Sequence, residues 1–206
     1  MISLARKGFT SLLMYFFRYQ TCYVYEHTID EMNEADFKPR IQDYTVQIIS
    51  TKQQADELAA AGFEFSSHTI HASRKLGKGA IAFCIFVGRE LAHIGWIAMT
   101  EEAKKAVDPH PYYVDFANNE ACGGATQTMP QYRGRGLMTY GYYIRFQFLR
   151  ERGVKIARSS VDTSNIASLR VHAKFDPKIC VEAHYLKILR WQFWKEKPFK
   201  PTSQHN

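Results

Sequence analysis

The stretch Gln131-Tyr132-Arg133-Gly134-Arg135-Gly136-Leu137-Met138 is the part of the chain best suited to hold an anion. Two glycines separated by one residue let the backbone turn sharply and present successive N–H groups. The helix that the sequence predicts directly afterwards adds the unpaired amides of its first turn and the positive end of its dipole. Together these donors form a concave site for a pyrophosphate. Arg133 and Arg135 bring charge to the loop, and Pro130 closes the strand before it.

The elements around this loop follow from periodicity and punctuation. Thr21 to His27 alternates as a strand, Asp30 to Arg40 is a polar connector, and Tyr44 to Ile49 is a second strand. Ser50 or Thr51 can cap a helix bearing Ala55, Leu58 and Ala59 that ends at Gly62, and Arg74 to Gly79 reads as a basic connector. Ala80 to Val87 and Leu91 to Met99 form a hairpin around Gly88. A long connection containing Glu101, Lys105 and Asp108 leads to a strand at Glu120 to Thr128 and then to the loop. A helix from Leu137 to Arg152, a strand from Lys155 to Asp162, a helix from Asn165 to Phe175 and one or two closing strands complete the chain. Strands followed by β-α-β-α-β predict an α/β (α+β) fold with a central mixed sheet and helices on both faces.

Composition narrows the partners. The chain has 206 residues and a formal net charge of +7, which admits nucleic acid, anionic lipid or a phosphate-bearing ligand. In the C-terminal stretch Lys187, Arg190, Lys195, Lys197 and Lys200 alternate with Trp191, Phe193 and Trp194 and are interrupted by Glu182 and Glu196. That alternation marks a strand with one solvated face, and without a recognised binding module it speaks against nucleic acid. Cys22, Cys84, Cys122 and Cys180 lie far apart with no C-x-x-C pair, so no metal and no disulfide framework is expected. Near the start, Phe9, Leu12, Leu13 and Phe16 would share one face of an amphipathic helix, and Lys7, Ser11 and Arg18 the other. It is too short to cross a bilayer. It suits docking on its own domain, packing in a homodimer, or contact of residues 1–20 with a membrane surface. The expected organisation is an N-terminal helix, strand and connector over 1–40, a core domain over 41–200 and a loose tail over 201–206.

On the loop Gln131 to Gly136, the chain resembles the GNAT acyltransferase superfamily, whose loop reads Q/R-x-x-G-x-G/A. Thr128-Met129-Pro130 stands where that family's strand bends before the loop. Downstream, Asp162-Thr163-Ser164-Asn165-Ile166-Ala167-Ser168 matches a strand ending at an Asn, followed by a helix with a small residue three positions on. The resemblance spans about Ala80 to Cys180 and implies a mostly antiparallel GNAT-like sheet with a splayed strand pair. It implies that acetyl-CoA, or another acyl-CoA, is the co-substrate and that a primary amine attacks the thioester directly. Backbone groups around Thr126, Thr128 and Met129 would bind the pantetheine arm, one amide near Thr128 or Met129 polarising the acyl carbonyl. Gln131, Arg133, Gly134, Arg135, Gly136 and Leu137 would hold the pyrophosphate, with Asn165 and Ser168 as cofactor-side or helix-capping residues. Glu120 stands where several members hold a general base, with His110 and Asp115 as alternatives, and His172 takes the register of the general acid. His110, Tyr112, Tyr113 and Asp115 would form the pocket for an amino sugar, amino acid or peptide. Asp176-Pro177 replaces the family's usual Gly-Phe after that helix. The resemblance implies a cytoplasmic enzyme, peripheral to the inner face of a membrane if residues 1–20 lie on lipid. The readings from other classes are a non-catalytic acyl-CoA-binding regulatory module and a membrane-surface adaptor.

Overall fold

The computed structural model describes residues 17–65 and 71–199. The expected amphipathic helix near the start and the tail over 201–206 lie outside the described residues. The first strand, β1 (Phe17–Thr28), is followed by β2 (Tyr44–Ile49), α1 (Lys52–Ala60), α2 (Ala72–Gly77), β3 (Ile81–Val87) and β4 (Glu90–Ala98). Then come α3 (Glu101–Val107), β5 (Ala121–Thr128), α4 (Leu137–Glu151), β6 (Ile156–Asp162), α5 (Ile166–His172), β7 (Lys178–Ile188) and β8 (Trp191–Pro198). Thr51 caps α1 in a reciprocal capping box with Gln54, and Gly62 takes φ +83° just past its end. Two connectors expected from the sequence contain helices instead. Arg74 and Lys75 lie in α2, whose Leu76 turns inward, and Thr100 caps α3 within the long connection.

The strands form one eight-stranded sheet in the order β2-β3-β4-β5-β6-β1-β7-β8. Every pairing is antiparallel except β5 with β6, which α4 joins as a crossover. The strand read near the start of the sequence is therefore internal. Along β1, Cys22 to Thr28 face β6, and Phe17 to Glu26 face β7.

Side-chain alternation gives each face its own core. Ala82, Cys84, Phe86, Trp96 and Cys122 pack with Ala72, Leu76, Ala103 and Val107 of α2 and α3. Phe83, Ile97, Ala121 and Ala157 pack with Tyr142, Phe146, Phe148 and Leu149 of α4 on the other face. Burying these side chains stabilises the sandwich by about 1.5–3 kcal/mol for each large one. Among the described residues, β5 and β6 pair over the shortest stretch of any neighbouring strands in the sheet. Pairing is confined to Ala121↔Ala157 and Cys122↔Arg158, after which the two strands part.

Candidate active site

The end of β5, the loop after it, α4 and α5 enclose a cleft of about 610 Å³. Thr126, Gln127 and Thr128 line it from β5, Tyr132 to Gly134 and Gly136 to Thr139 from the loop and α4, and Asn165, Ala167, Val171 and Lys174 from α5 and its two ends. Gly134 and Gly136 both take positive φ, +74° and +84°, a region that carries almost no penalty only for glycine. This folds the loop back over the start of α4. Among the described residues no protein acceptor takes the N–H groups of Gly134, Arg135, Gly136 or Leu137, whereas Tyr140 N–H already closes the first turn on Gly136. The connector fixes the loop from behind, because Arg40 N–H donates to the Arg135 carbonyl at 2.8 Å. Arg133 Nε donates to the Thr128 carbonyl at 3.2 Å and so ties the loop to β5.

Opposite Gly95 of β4, the ladder skips from Trp96↔Gly124 to Ile94↔Gln127, so Ala125 and Thr126 bulge out of register. Ala125 has φ +44°, and the bulge takes the two residues out of the β4 ladder. Thr128 is held by His93, whose Nδ1 lies 2.8 Å from its Oγ1.

A strand pair that opens after two residues, a bulge at the opening, and a loop of free amides ahead of a long helix define a recognisable architecture. The chain has the fold of the GNAT acyltransferases. A GCN5-related glucosamine N-acetyltransferase region of a fungal multi-domain β-N-acetylglucosaminidase superposes with a TM-score of 0.54 at 15% identity, over 89% of this chain and 22% of that one. An acetyltransferase of the GNAT family from Colwellia psychrerythraea gives 0.51 at 15% identity over 91% of this chain and 61% of that one. A GCN5-related N-acetyltransferase from Sphaerobacter thermophilus gives 0.51 at 15% identity over 92% and 56%. The chain thus spans less than two thirds of the length of each of these proteins. No protein-family model and no curated protein matches the sequence.

Within this GNAT fold, the expected coenzyme residues divide. Thr126, Thr128, Arg133, Gly134, Gly136, Leu137 and Asn165 line the cleft, while Gln131, Arg135, Met129 and Ser168 do not. Asn165 also caps α5 by accepting from Ser168 N–H at 3.1 Å. Met129 corrects one expectation: it is buried and its N–H donates to the Ala92 carbonyl at 3.0 Å, so that amide is not free to polarise a thioester.

The two expected catalytic side chains are corrected by their surroundings. Glu120 accepts from Arg158 Nε and Nη2 at 2.8 and 3.1 Å and from Asp115 N–H at 2.9 Å. The Arg158 hydrogen bonds hold its carboxyl below the ordinary range against the opposing effect of burial, which makes it a poor base. Arg158 also pairs with Glu26 at 2.8 Å, so Glu120 belongs to an ion-paired group bracing β5, β6 and β1. His172 is fully buried, with Nδ1 2.8 Å from His27 Nε2 and Nε2 2.8 Å from the Tyr142 hydroxyl. Burial first, then the charges of His27 and Arg145, push its pKa down to about 2. A ring so held stays neutral and faces the core rather than the cleft.

The expected acceptor residues separate as well. Tyr113 is exposed and Asp115 caps the short turn at Phe116–Asn118, both beside Glu120. Tyr112 is buried, and its hydroxyl lies 3.0 Å from Asp108 Oδ2 and 3.1 Å from Cys122 Sγ. His110 stands where β5 and β6 part, on the sheet face opposite α4, packed against Tyr185 and stacked on Trp194 at 5.3 Å. Its Nδ1 lies 2.7 Å from Ser160 Oγ and 3.2 Å from Asp108 Oδ1. Ser160 Oγ donates to Asp108 Oδ2 at 2.6 Å, so it must accept from His110, which places the ring proton on Nδ1. In the neutral ring Nε2 is then the nitrogen with the lone pair, and it makes no hydrogen bond among the described residues. Burial raises the Asp108 carboxyl, but its hydrogen bonds and attraction to His110, with the Ser160 hydroxyl, outweigh this and hold it below the usual range. Sequence alone did not single out Asp108 or Ser160, because their contact spans fifty-two positions and arises only from the strand register.

Proposed function

We propose that the chain is an acyl-CoA-dependent N-acyltransferase. The observation that carries this reading is the cleft beside the end of β5, past the point where its pairing with β6 stops, which runs onto the unpaired amides of the Gly134 to Leu137 loop. The N–H groups of Gly134, Arg135, Gly136 and Leu137 hold the coenzyme pyrophosphate, with Arg133 and Lys174 adding charge at the cleft. The unpaired edge of β5 from Thr126 to Thr128 takes the pantetheine arm in place of the missing β6 partner. The bulge at Ala125 and Thr126 faces its N–H groups to the acyl carbonyl oxygen and stabilises the charge that develops there.

A primary amine approaches from the opposite sheet face, on the Nε2 side of His110. His110 Nε2 takes the proton as the amine nitrogen bonds to the carbonyl carbon, and the C–S bond breaks with its electron pair going to sulfur. The coenzyme thiolate takes a proton from solvent, the His110 imidazolium returns its own to solvent, and amide and free coenzyme A leave. Asp108 and Ser160 keep the lone pair of His110 on the outer nitrogen and stabilise the charged ring, an orienting role of the kind an acid plays behind a catalytic histidine. The fold shared with a glucosamine N-acetyltransferase region supports testing amino sugars beside amino acids and peptides as acceptors.

Calorimetric titration with coenzyme A, followed by thiol release from acyl-CoA with a panel of amines, tests the proposal. Micromolar coenzyme binding and amine-dependent release are expected. A protein that binds no coenzyme A would refute it.

A further inference from the structure

On the α4 side of the sheet, behind the opening between β5 and β6, lies a second space of about 10 Å³, room for roughly one water-sized atom. His27, Gly123, Tyr142, Arg145, Ala157 and Ser159 contribute to its wall. Three polar atoms of these residues, His27 Nδ1, Arg145 Nη2 and Ser159 Oγ, are buried and have no hydrogen-bond partner. Orphaned polar atoms are rare in native interiors, and three around one small space point to an absent acceptor.

Arg145 makes the case specific. It is 1% exposed, its Nε donates to the Gly141 carbonyl at 3.0 Å and its Nη1 to Thr126 Oγ1 at 3.2 Å. The guanidinium lies 3.9 Å from the Tyr142 ring centre. No carboxylate among the described residues pairs with it. The titratable side chains facing it on this side are Tyr142 and the histidines His27, His93 and His172, the histidines neutral because burial, with a contribution from the arginine's own charge, lowers their pKa values. Arg158, on the wall of the same space, is already paired with Glu120 and Glu26. Taking an ion out of water without a partner costs several kcal/mol. Glycine at 95 is what admits the guanidinium, since a Cβ there would stand 2.8 Å from Arg145 Cζ.

We propose that this space is the far end of the acyl subsite and that the acyl group it receives ends in a carboxylate, as in the coenzyme A thioester of a short dicarboxylic acid. This rests on the coenzyme reading above. Thr126 joins the two regions, lining the coenzyme cleft while it accepts from Arg145. A chain leaving the thioester at the bulge reaches the arginine between Gly123 and Ser159, where the strands no longer pair. One carboxylate oxygen fills the space, accepts from Arg145 Nη2–H and the Ser159 hydroxyl, and supplies the counter-charge. The bond made and the bond broken are those of the transfer above, and the terminal carboxylate is unchanged. A neutral acyl group would leave the same donors buried and unpaired.

The test is calorimetric titration of the full chain with acetyl-CoA, butyryl-CoA and succinyl-CoA, the last two being similar in length and different in charge. Succinyl-CoA is expected to bind at least tenfold more tightly than butyryl-CoA. Arg145→Met is expected to remove that preference, and Ser159→Ala, which spares the buried arginine should the first variant not fold, to reduce it several-fold. Equal or weaker binding of succinyl-CoA, or a preference untouched by either variant, overturns the proposal and leaves the space to a water molecule. Binding of none of the three, nor of free coenzyme A, would instead sink the coenzyme reading on which it stands.

Discussion

Lowering the pH should unfold this protein unusually steeply, because three buried histidines are held neutral. His27, His93 and His172 are 1%, 0% and 0% exposed, and burial, with a contribution from Arg145, pushes their pKa values down to about 3, 3 and 2. In the unfolded chain each titrates at about 6.5. Since the folded pKa is the lower one, the unfolded state binds more protons below pH 6.5, and stability is lost as pH falls from there towards the folded values. Each histidine contributes a slope of up to about 1.4 kcal/mol per pH unit, so the three together approach about 4 kcal/mol per unit. By pH 5 the loss is about 2 kcal/mol for each ring, or about 6 kcal/mol in all, comparable with the whole stability of an ordinary domain. The carboxyls of Asp108, Glu120 and Asp162 are held below their ordinary range, so their contribution falls away only at lower pH and leaves the window from 6.5 to 5 to the histidines. Urea unfolding measured across that window reads the slope directly, and His172→Gln should reduce it by about one proton whatever it does to stability at pH 8. A wild-type slope of one proton or less, or a His172→Gln slope equal to wild type, would refute the account of a neutral buried set.

Other outcomes follow from single contacts. Gly134→Ala places a side chain at φ +74° with nothing within 4 Å of the new Cβ, so the backbone cost of about 1–2 kcal/mol should weaken coenzyme A binding about tenfold in a titration. His110→Ala should lower amine-dependent thiol release about 100-fold or more while leaving the coenzyme dissociation constant near wild type. Glu120→Gln should instead lower the thermal midpoint by loosening the Arg158 pairing, with a much smaller change in turnover per folded molecule. Removing residues 1–28 should abolish cooperative unfolding, since β6 and β7 would both lose the strand between them.

The loop Gln131 to Gly136 carried its own conformation in its sequence. Glycines at 134 and 136 are demanded by positive φ, and the helix that follows leaves its first amides unpaired wherever it is placed. The β-rich runs Ala80 to Val87 and Leu91 to Met99, parted by Gly88 at φ +57°, likewise announced a hairpin, because branched and aromatic side chains favour the pleated backbone and glycine its turn. Those are local properties, set by backbone sterics and by which residues prefer to leave water. What lay beyond them was contact across long stretches of chain. The sequence of β1 reads as a strand but holds nothing that says it will lie between β6 and β7. Asp108, His110 and Ser160 meet because the register of a parallel pair brings β6 beside a connection half a hundred residues earlier. Glu120 and His172 have the residue types of a base and an acid, yet Arg158 and the interior decide their protonation, and both partners come from elsewhere in the chain. Ionisation in a folded protein depends on burial and neighbouring charge, which exist only once the sheet has closed.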